Sequence, residues 1–227
     1  MATVVDEDDH PNSDFKLKEY WEKRFESENE YEWLVDFNGI KTYILPLIQS
    51  KEARILIIGC GNSNFSADLY DAGYENITNI DFSNICILNM REKNANRPKM
   101  LWQVMDMTAL AYPDQSFDVV IDKAGMDALM VDEGDVWEPN DETLLAADQT
   151  LQGISRVLTS SGIFIQITFA QTHFRTKYLM ASHLLKLDCS PYDSLNGHCG
   201  RYGWTLSYNS VNPTTGCIHY FIYIMKK

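Results

Sequence analysis

Short continuous apolar runs alternating with helically spaced stretches constrain this chain more than any other feature. Arg54-Ile55-Leu56-Ile57-Ile58-Gly59 reads as a strand buried on both faces. Similar runs recur at Ile77–Phe82, Leu101–Met105, Phe117–Ile121 and Ile163–Phe169. Helical segments are predicted between them at Phe65–Ala72, Ile85–Asn94 and Leu144–Leu158. In the last, Leu144, Ala147, Leu151, Ile154 and Leu158 recur at steps of three and four. Strands alternating with helices dictate βαβ units and a mostly parallel sheet covered on both sides. The end of the chain differs. Trp204–Val211 and Cys217–Met225 alternate about the turn cluster Asn212-Pro213-Thr214-Thr215-Gly216, which predicts an antiparallel hairpin. The expected fold is α/β: a Rossmann-like, seven-stranded, mostly parallel sheet with helices on both faces and a C-terminal antiparallel hairpin.

Ahead of this core lies a different kind of sequence. Residues 1–13 are polar, acidic and aperiodic, and are read as a disordered lead; residues 14–227 are read as a single domain. Within it, 14–50 form an N-terminal helical lid and 51–227 the Rossmann-like core. Leu17, Tyr20, Trp21 and Phe25 share one helical face, and Phe37, Ile40, Ile44, Leu47 and Ile48 another, with Pro46 interrupting the second near its end. The chain of 227 residues carries a net charge of −13, and residues 1–36 hold 12 acids against 4 bases. Such acidity repels phosphate backbones and anionic lipid, so a basic protein is the expected partner, with no nucleic acid and no membrane. The acids of residues 26–36 are read as part of the surface that attracts it. No stretch approaches the ~18 apolar residues of a membrane span. Five cysteines without paired spacing point to a reducing, cytoplasmic setting and to no metal.

In an open α/β sheet, ligands bind at the carboxyl ends of the strands. After the first predicted strand comes Gly59-Cys60-Gly61-Asn62-Ser63-Asn64, a turn whose glycines let the backbone approach a ligand closely. By itself this is equally an ordinary strand-to-helix turn. Asp81 closes the second strand, 20 residues after Gly61, where a carboxylate can accept both hydroxyl hydrogen bonds of a ribose. Ser83 is there to cap the following helix. Asp106 and Met107 close the third strand and suit the amine and flat face of an adenine, or a solvated turn equally well. Asp122-Lys123 ends the fourth strand as a catalytic pair or as a strand-end ion pair. Asn64 stands where a dinucleotide fingerprint places its third glycine, which argues against NAD. S-adenosylmethionine carries the ribose and adenine without the phosphates, so methyl transfer is the expected chemistry.

The runs ILIIGCGNS, NITNIDFSN, VMDMTAL, YPDQSFDVVIDK and ISRVL resemble the class I, seven-strand S-adenosylmethionine-dependent methyltransferases. More narrowly, EYWEKRF, YEWLVDF, DKAGMDAL, AQTHFRTKY and RYGWTLSY resemble the elongation factor 1A lysine methyltransferases, over about residues 17–227. The resemblance implies an S-adenosyl-L-methionine-dependent protein-lysine N-methyltransferase with elongation factor 1A as its protein substrate. A small-molecule methyltransferase on the same scaffold is the alternative. It also implies a set of cofactor residues: Gly59 and Gly61 in the loop, Asp81 and Phe82 at the ribose and adenine edge, Asp106 and Met107 about the adenine, and Lys123 close by. Trp21, Phe25 and Trp33 would close over the cofactor, although the two tryptophans serve equally to pack the N-terminal helix. The chain departs from the family pattern in carrying Phe25 for tyrosine and Ala124-Gly125-Met126 for Gly-Thr-Leu. Residues 182–200, with Cys189, His198 and Cys199, look like a surface insertion with no zinc spacing. No catalytic residue is assigned, and Asp122 and Asp127 are both close enough in sequence to serve as a base.

Overall fold

A computed structural model describes residues 11–181, 201–211 and 219–227. The strands are β1 (Ile55–Ile58), β2 (Ile77–Asp81), β3 (Leu101–Val104), β4 (Phe117–Lys123), β5 (Leu158–Thr168), β6 (Thr205–Val211) and β7 (Tyr220–Lys226). They form one seven-stranded sheet in the order β3-β2-β1-β4-β5-β7-β6. The first five run parallel to one another. β7 alone is reversed, pairing antiparallel with both β5 and β6. The fold class expected from the sequence therefore holds. The hairpin register, from Thr205↔Lys226 to Val211↔Tyr220, holds as well. Its turn cluster and the 182–200 stretch lie outside the described residues.

The helices are α1 (Lys18–Phe25), α2 (Phe37–Ile44), α3 (Phe65–Asp71), α4 (Asn84–Lys93), α5 (Gly125–Leu129), α6 (Asp141–Val157) and α7 (Thr172–Leu179). Alternation along each strand sorts the core into two layers. Ile55 and Ile57 face the layer containing Phe37, Ile40, Ile44, Phe65, Leu69, Ile87 and Met90. Leu56 and Ile58 face the layer of Met126, Leu151, Ile154, Tyr178, Leu179 and Trp204. All four β1 residues are buried, as a continuous apolar run requires. Asn140 caps α6 through Thr143 N–H, four residues before Leu144, where the apolar periodicity first shows.

Three boundaries differ from expectation. The second N-terminal helix stops at Ile44 and continues as a 3-10 turn over Leu45–Leu47, because Pro46 donates no N–H to an α-helical bond. β5 begins at Leu158 instead of Ile163, since Phe117 pairs with Leu158 ahead of a register shift in β4. Asn12–Lys16 forms a 3-10 turn, so the end of the expected lead has local structure. Residues 1–10 lie outside the described residues.

Candidate active site

Four parallel strands end on one rim, and each delivers part of a wall. The loop after β1 turns through Gly59 and Gly61, at φ 55° and 52°, a region glycine enters without strain. The two glycines serve different ends. A Cβ on Gly59 would come within 3.0 Å of Met107 Cε and 3.1 Å of Gly125 Cα, so that position is bare to let two loops meet. A Cβ on Gly61 would meet nothing nearer than Phe25 Cζ at 4.0 Å, so Gly61 turns its open side to the cavity. Asp81 ends β2, almost wholly buried. Its Oδ2 accepts from Gly61 N–H at 3.0 Å and its Oδ1 from Ser83 N–H at 2.9 Å. Burial pushes its pKa up to about 6 against those two donors. Each oxygen keeps lone-pair capacity for a further donor. Ser83 caps α4 through Cys86 N–H, as expected of it. Asp106 Oδ1 accepts from Thr108 N–H and Oγ1, both at 2.8 Å, and so caps the short turn containing Met107.

After β4, Ala124 takes φ 67°, the left-handed conformation that glycine favours, and α5 starts on Gly125. A Cβ on Gly125 would come within 2.8 Å of Asp122 Oδ1. The Ala-Gly order here thus keeps the bare residue at the crowded position and leaves alanine with a strained backbone, of order 1–2 kcal/mol.

The N-terminal segment closes the cavity from the other side, and carboxylates hold it there. Glu22 accepts from Ser83 Oγ, Asn84 N–H and Ile85 N–H at the N-terminus of α4 (2.8–3.1 Å), where the helix dipole favours an acid. Glu28 accepts from Asn62 Nδ2 through its side chain and its carbonyl. Glu30 pairs with Lys93 at 2.8 Å. Glu32 accepts from Ser63 Oγ, Asn64 N–H and Lys123 Nζ, the last at 3.1 Å. The reading of residues 26–36 as partner-attracting surface is corrected for Glu28 and Glu32, whose carboxylates turn to donors on the core, whereas Glu30 stays half exposed at the surface. Lys123 is committed as well. Its Nζ also donates to the Trp33 carbonyl at 2.8 Å, and burial lowers its pKa against the pull of Glu32.

Strap and wall together enclose a cavity of about 430 Å³, within the range of small-molecule sites. Trp21, Phe25, Trp33, Gly59, Gly61, Asp81, Phe82, Asp106, Met107 and Lys123 all line it. Trp21 stacks on buried Phe25 with ring centroids 5.5 Å apart, and its indole N–H donates to the Phe15 carbonyl. Phe25 is only 3% exposed, a place that suits a ring without a hydroxyl. Asp127, one of the two acids considered as a base, lines the cavity too, as do Phe15, Tyr31 and Phe169, which sequence reasoning did not assign to it. Phe15 sits in a short turn without periodicity. Asp122, by contrast, lies beneath the cavity wall. It is fully buried, accepts from Met126 N–H and Gln166 Nε2, and burial pushes its pKa up to about 7. Cys60 and Cys86 are free buried thiols whose sulfurs lie within 4.8 Å of each other and of an Asp81 oxygen. Burial pushes the Cys60 thiol up against the pull of its hydrogen bond with Cys86, and that same bond together with burial pushes Cys86 up.

Comparison with known proteins agrees with this geometry. A methyltransferase-domain family model matches residues 49–208, and the chain belongs to that family, the methyltransferases that its motifs resemble. Among relatives, it is 32% identical over 219 residues to EEF1A lysine methyltransferase 4 of Bos taurus, covering 95% of this chain and 77% of that protein. It is 36% identical to the eEF1A lysine and N-terminal methyltransferase of Mus musculus, covering 88% of this chain and 26% of that much longer protein. Among solved structures, N-methyltransferase NodS of Bradyrhizobium japonicum with S-adenosyl-L-homocysteine superposes with a TM-score of 0.60 at 12% identity, covering 95% of this chain and 98% of that one. The [4+2]-cyclase SpnF has a TM-score of 0.56 at 13% identity, covering 96% of this chain and 97% of that one. Such distant structures share the fold alone, and a fold does not fix a reaction. Among the described residues, no helix is long and apolar enough to cross a membrane.

Proposed function

We propose that this chain is an S-adenosylmethionine-dependent protein-lysine N-methyltransferase acting on elongation factor 1A in the cytoplasm. One observation carries the cofactor half of this reading: every residue singled out for an adenosine converges on one cavity. The fit is chemical as well as spatial. Asp81 retains acceptor capacity for ribose hydroxyls, Asp106 and Met107 offer a carboxylate beside an apolar side chain, and Gly61 leaves the backbone open to close approach. Phe82 would flank the adenine edge, while Trp21 and Trp33 would present aromatic faces to a sulfonium, each worth roughly 0.5–2 kcal/mol. When bound, the cofactor supplies an electrophilic methyl group. Gly59 acts indirectly, through the loop contact that sets the height of the wall. Lys123 acts by anchoring the strap through Glu32.

Three observations support the substrate half. The relatives named for EEF1A lysine methylation match nearly the whole chain. The net charge of −13 complements a basic protein. The free thiols Cys60 and Cys86 suit a reducing compartment. The protein's task is then to place a lysine nitrogen in line with the methyl group, since positioning supplies most of the advantage in such a displacement.

The test is to incubate the full chain with radiolabelled S-adenosylmethionine and either recombinant elongation factor 1A or a metabolite mixture. Label on a lysine of the elongation factor is expected. Label confined to a metabolite would replace the protein substrate with a small one.

A further inference from the structure

Asp122 and Asp127 are both close in sequence to the end of β4, and the fold separates them. Asp122 has donors on both oxygens and does not reach the cavity. Asp127, in the first turn of α5, lines it. Its Oδ1 accepts from Thr168 Oγ1 at 2.5 Å and from Arg175 Nη2, while Oδ2 is buried and has no hydrogen-bond partner. A buried acceptor left unpaired costs on the order of 1–3 kcal/mol, and more when charged. The other cavity acids that the sequence singled out differ: Asp81 accepts a backbone N–H on each oxygen, and Asp106 faces its own turn. Arg175, itself buried, fixes the Asp127 carboxylate from α7. Phe169, 55% exposed, stands where β5 leads into α7 and also lines the cavity.

Resting on the lysine-methylation reading above, we propose that Asp127 is the group that receives the substrate's amine, with Oδ2 as its acceptor. The incoming lysine is an ammonium, whose lone pair is unavailable until a proton leaves. One N–H bond breaks, its electron pair stays on nitrogen, and the proton passes to Oδ2. The lone pair then forms the N–C bond to the methyl carbon as the C–S bond breaks, its electron pair going to sulfur. The proton on Asp127 leaves to solvent with the product. Arg175 and Thr168 are positioning residues that hold Oδ1 and so leave Oδ2 as the carboxylate's unpaired oxygen. The titratable and charged groups around Asp127 are Arg175 on α7, Asp122 on β4 and Tyr223 on β7. Lys16, on the 3-10 turn against α5, and Lys123 line the same cavity. Burial raises the Asp127 pKa, and Arg175, Thr168 and the Phe169 backbone pull it back down.

The experiment measures methyl transfer to recombinant elongation factor 1A by wild type, Asp127→Asn and Thr168→Ala. It is run alongside S-adenosylhomocysteine affinity by calorimetry and thermal melting. Asp127→Asn is expected to lower kcat at least a hundredfold while product affinity stays within threefold. Asparagine loses the ion pair with Arg175 and can destabilise the fold, so Thr168→Ala provides an independent readout. It keeps the Asp127–Arg175 pair, removes a donor to the carboxylate, and should move the acidic limb of the kcat–pH profile to higher pH. Transfer by Asp127→Asn within threefold of wild type, or a limb unmoved in Thr168→Ala, overturns the proposal. A wild type inactive on the elongation factor overturns the substrate reading, and this assignment with it. An active wild type matched by Asp127→Asn overturns the assignment alone.

Discussion

The wall and the strap hold the same cavity by different physics. The wall is built from strand ends whose positions follow from buried parallel pairing, such as Ile58↔Ile80 and Ile58↔Asp122. Its polar groups are then set by backbone donors a few residues away in space. The strap has no sheet to hold it. Glutamates reaching donors on the core attach it, together with a ring cluster in which Arg24 lies 5.1–5.8 Å from the Trp21, Tyr31 and Trp33 centroids. A wall made this way resists local opening, whereas a strap held by partly exposed carboxylates opens at lower free energy.

The sharpest break in the comparison is at Asp81. Asp81→Ala removes a buried acceptor of the cavity and leaves the Gly61 and Ser83 N–H groups without partners. Product affinity is expected to fall beyond calorimetric detection while the strap glutamates keep their bonds; near-normal binding would show that the wall is not the cofactor side. Next in size is Glu32→Ala. It leaves buried Lys123 with the Trp33 carbonyl but without its counter-charge, and frees the Ser63 hydroxyl and the Asn64 N–H. Breaking a fully buried pair costs about 3–5 kcal/mol, and Glu32 is 26% exposed, so a loss of about 1–3 kcal/mol is expected. That loss should appear as faster hydrogen exchange across residues 26–36, with wall strands unchanged.

The two glycines distinguish packing from access. Gly59→Ala should lower stability more than Gly61→Ala, because only Gly59 meets neighbours at 3.0–3.1 Å. Gly61→Ala should cost about 1–2 kcal/mol from its backbone alone and should weaken product affinity more per unit of lost stability. Melting curves and calorimetry on both variants test the contrast.

A further contrast lies in pH dependence. Asp122 has a folded pKa of about 7, above its ordinary 3.8. The folded state therefore binds more protons between those values, and stability falls as pH rises from about 4 through about 7. Asp122→Asn should escape this, so its melting temperature relative to wild type should rise between pH 5 and pH 8. A parallel pair of curves would remove the penalty from Asp122.

Much of this was legible before folding was considered. The apolar runs located the strands because a strand buried on both faces has no polar alternation to hide it. Gly61, Asp81, Asp106 and Lys123 were found by where strands end, a rule of topology that needs no coordinates. The strap was half legible. Trp21, Phe25 and Trp33 were singled out, but Glu28 and Glu32 read as solvated charge, since nothing local says which way a glutamate turns. Phe169 looked like the end of a strand, and only α7 turning away after it leaves it at the cavity rim.

By itself the sequence determined the sheet, its hairpin and the set of residues that meet at the strand ends, because hydrophobic periodicity and chain connectivity are local or one-dimensional facts. Only tertiary structure decided the fates of the charges. Asp122 is sealed beneath the wall and Asp127 opens on the cavity, although five residues separate them. Lys123 became an anchor for the strap and not a free cation in the cleft. A charged side chain settles where donors and low dielectric balance its desolvation, and that balance exists only once distant segments have come together.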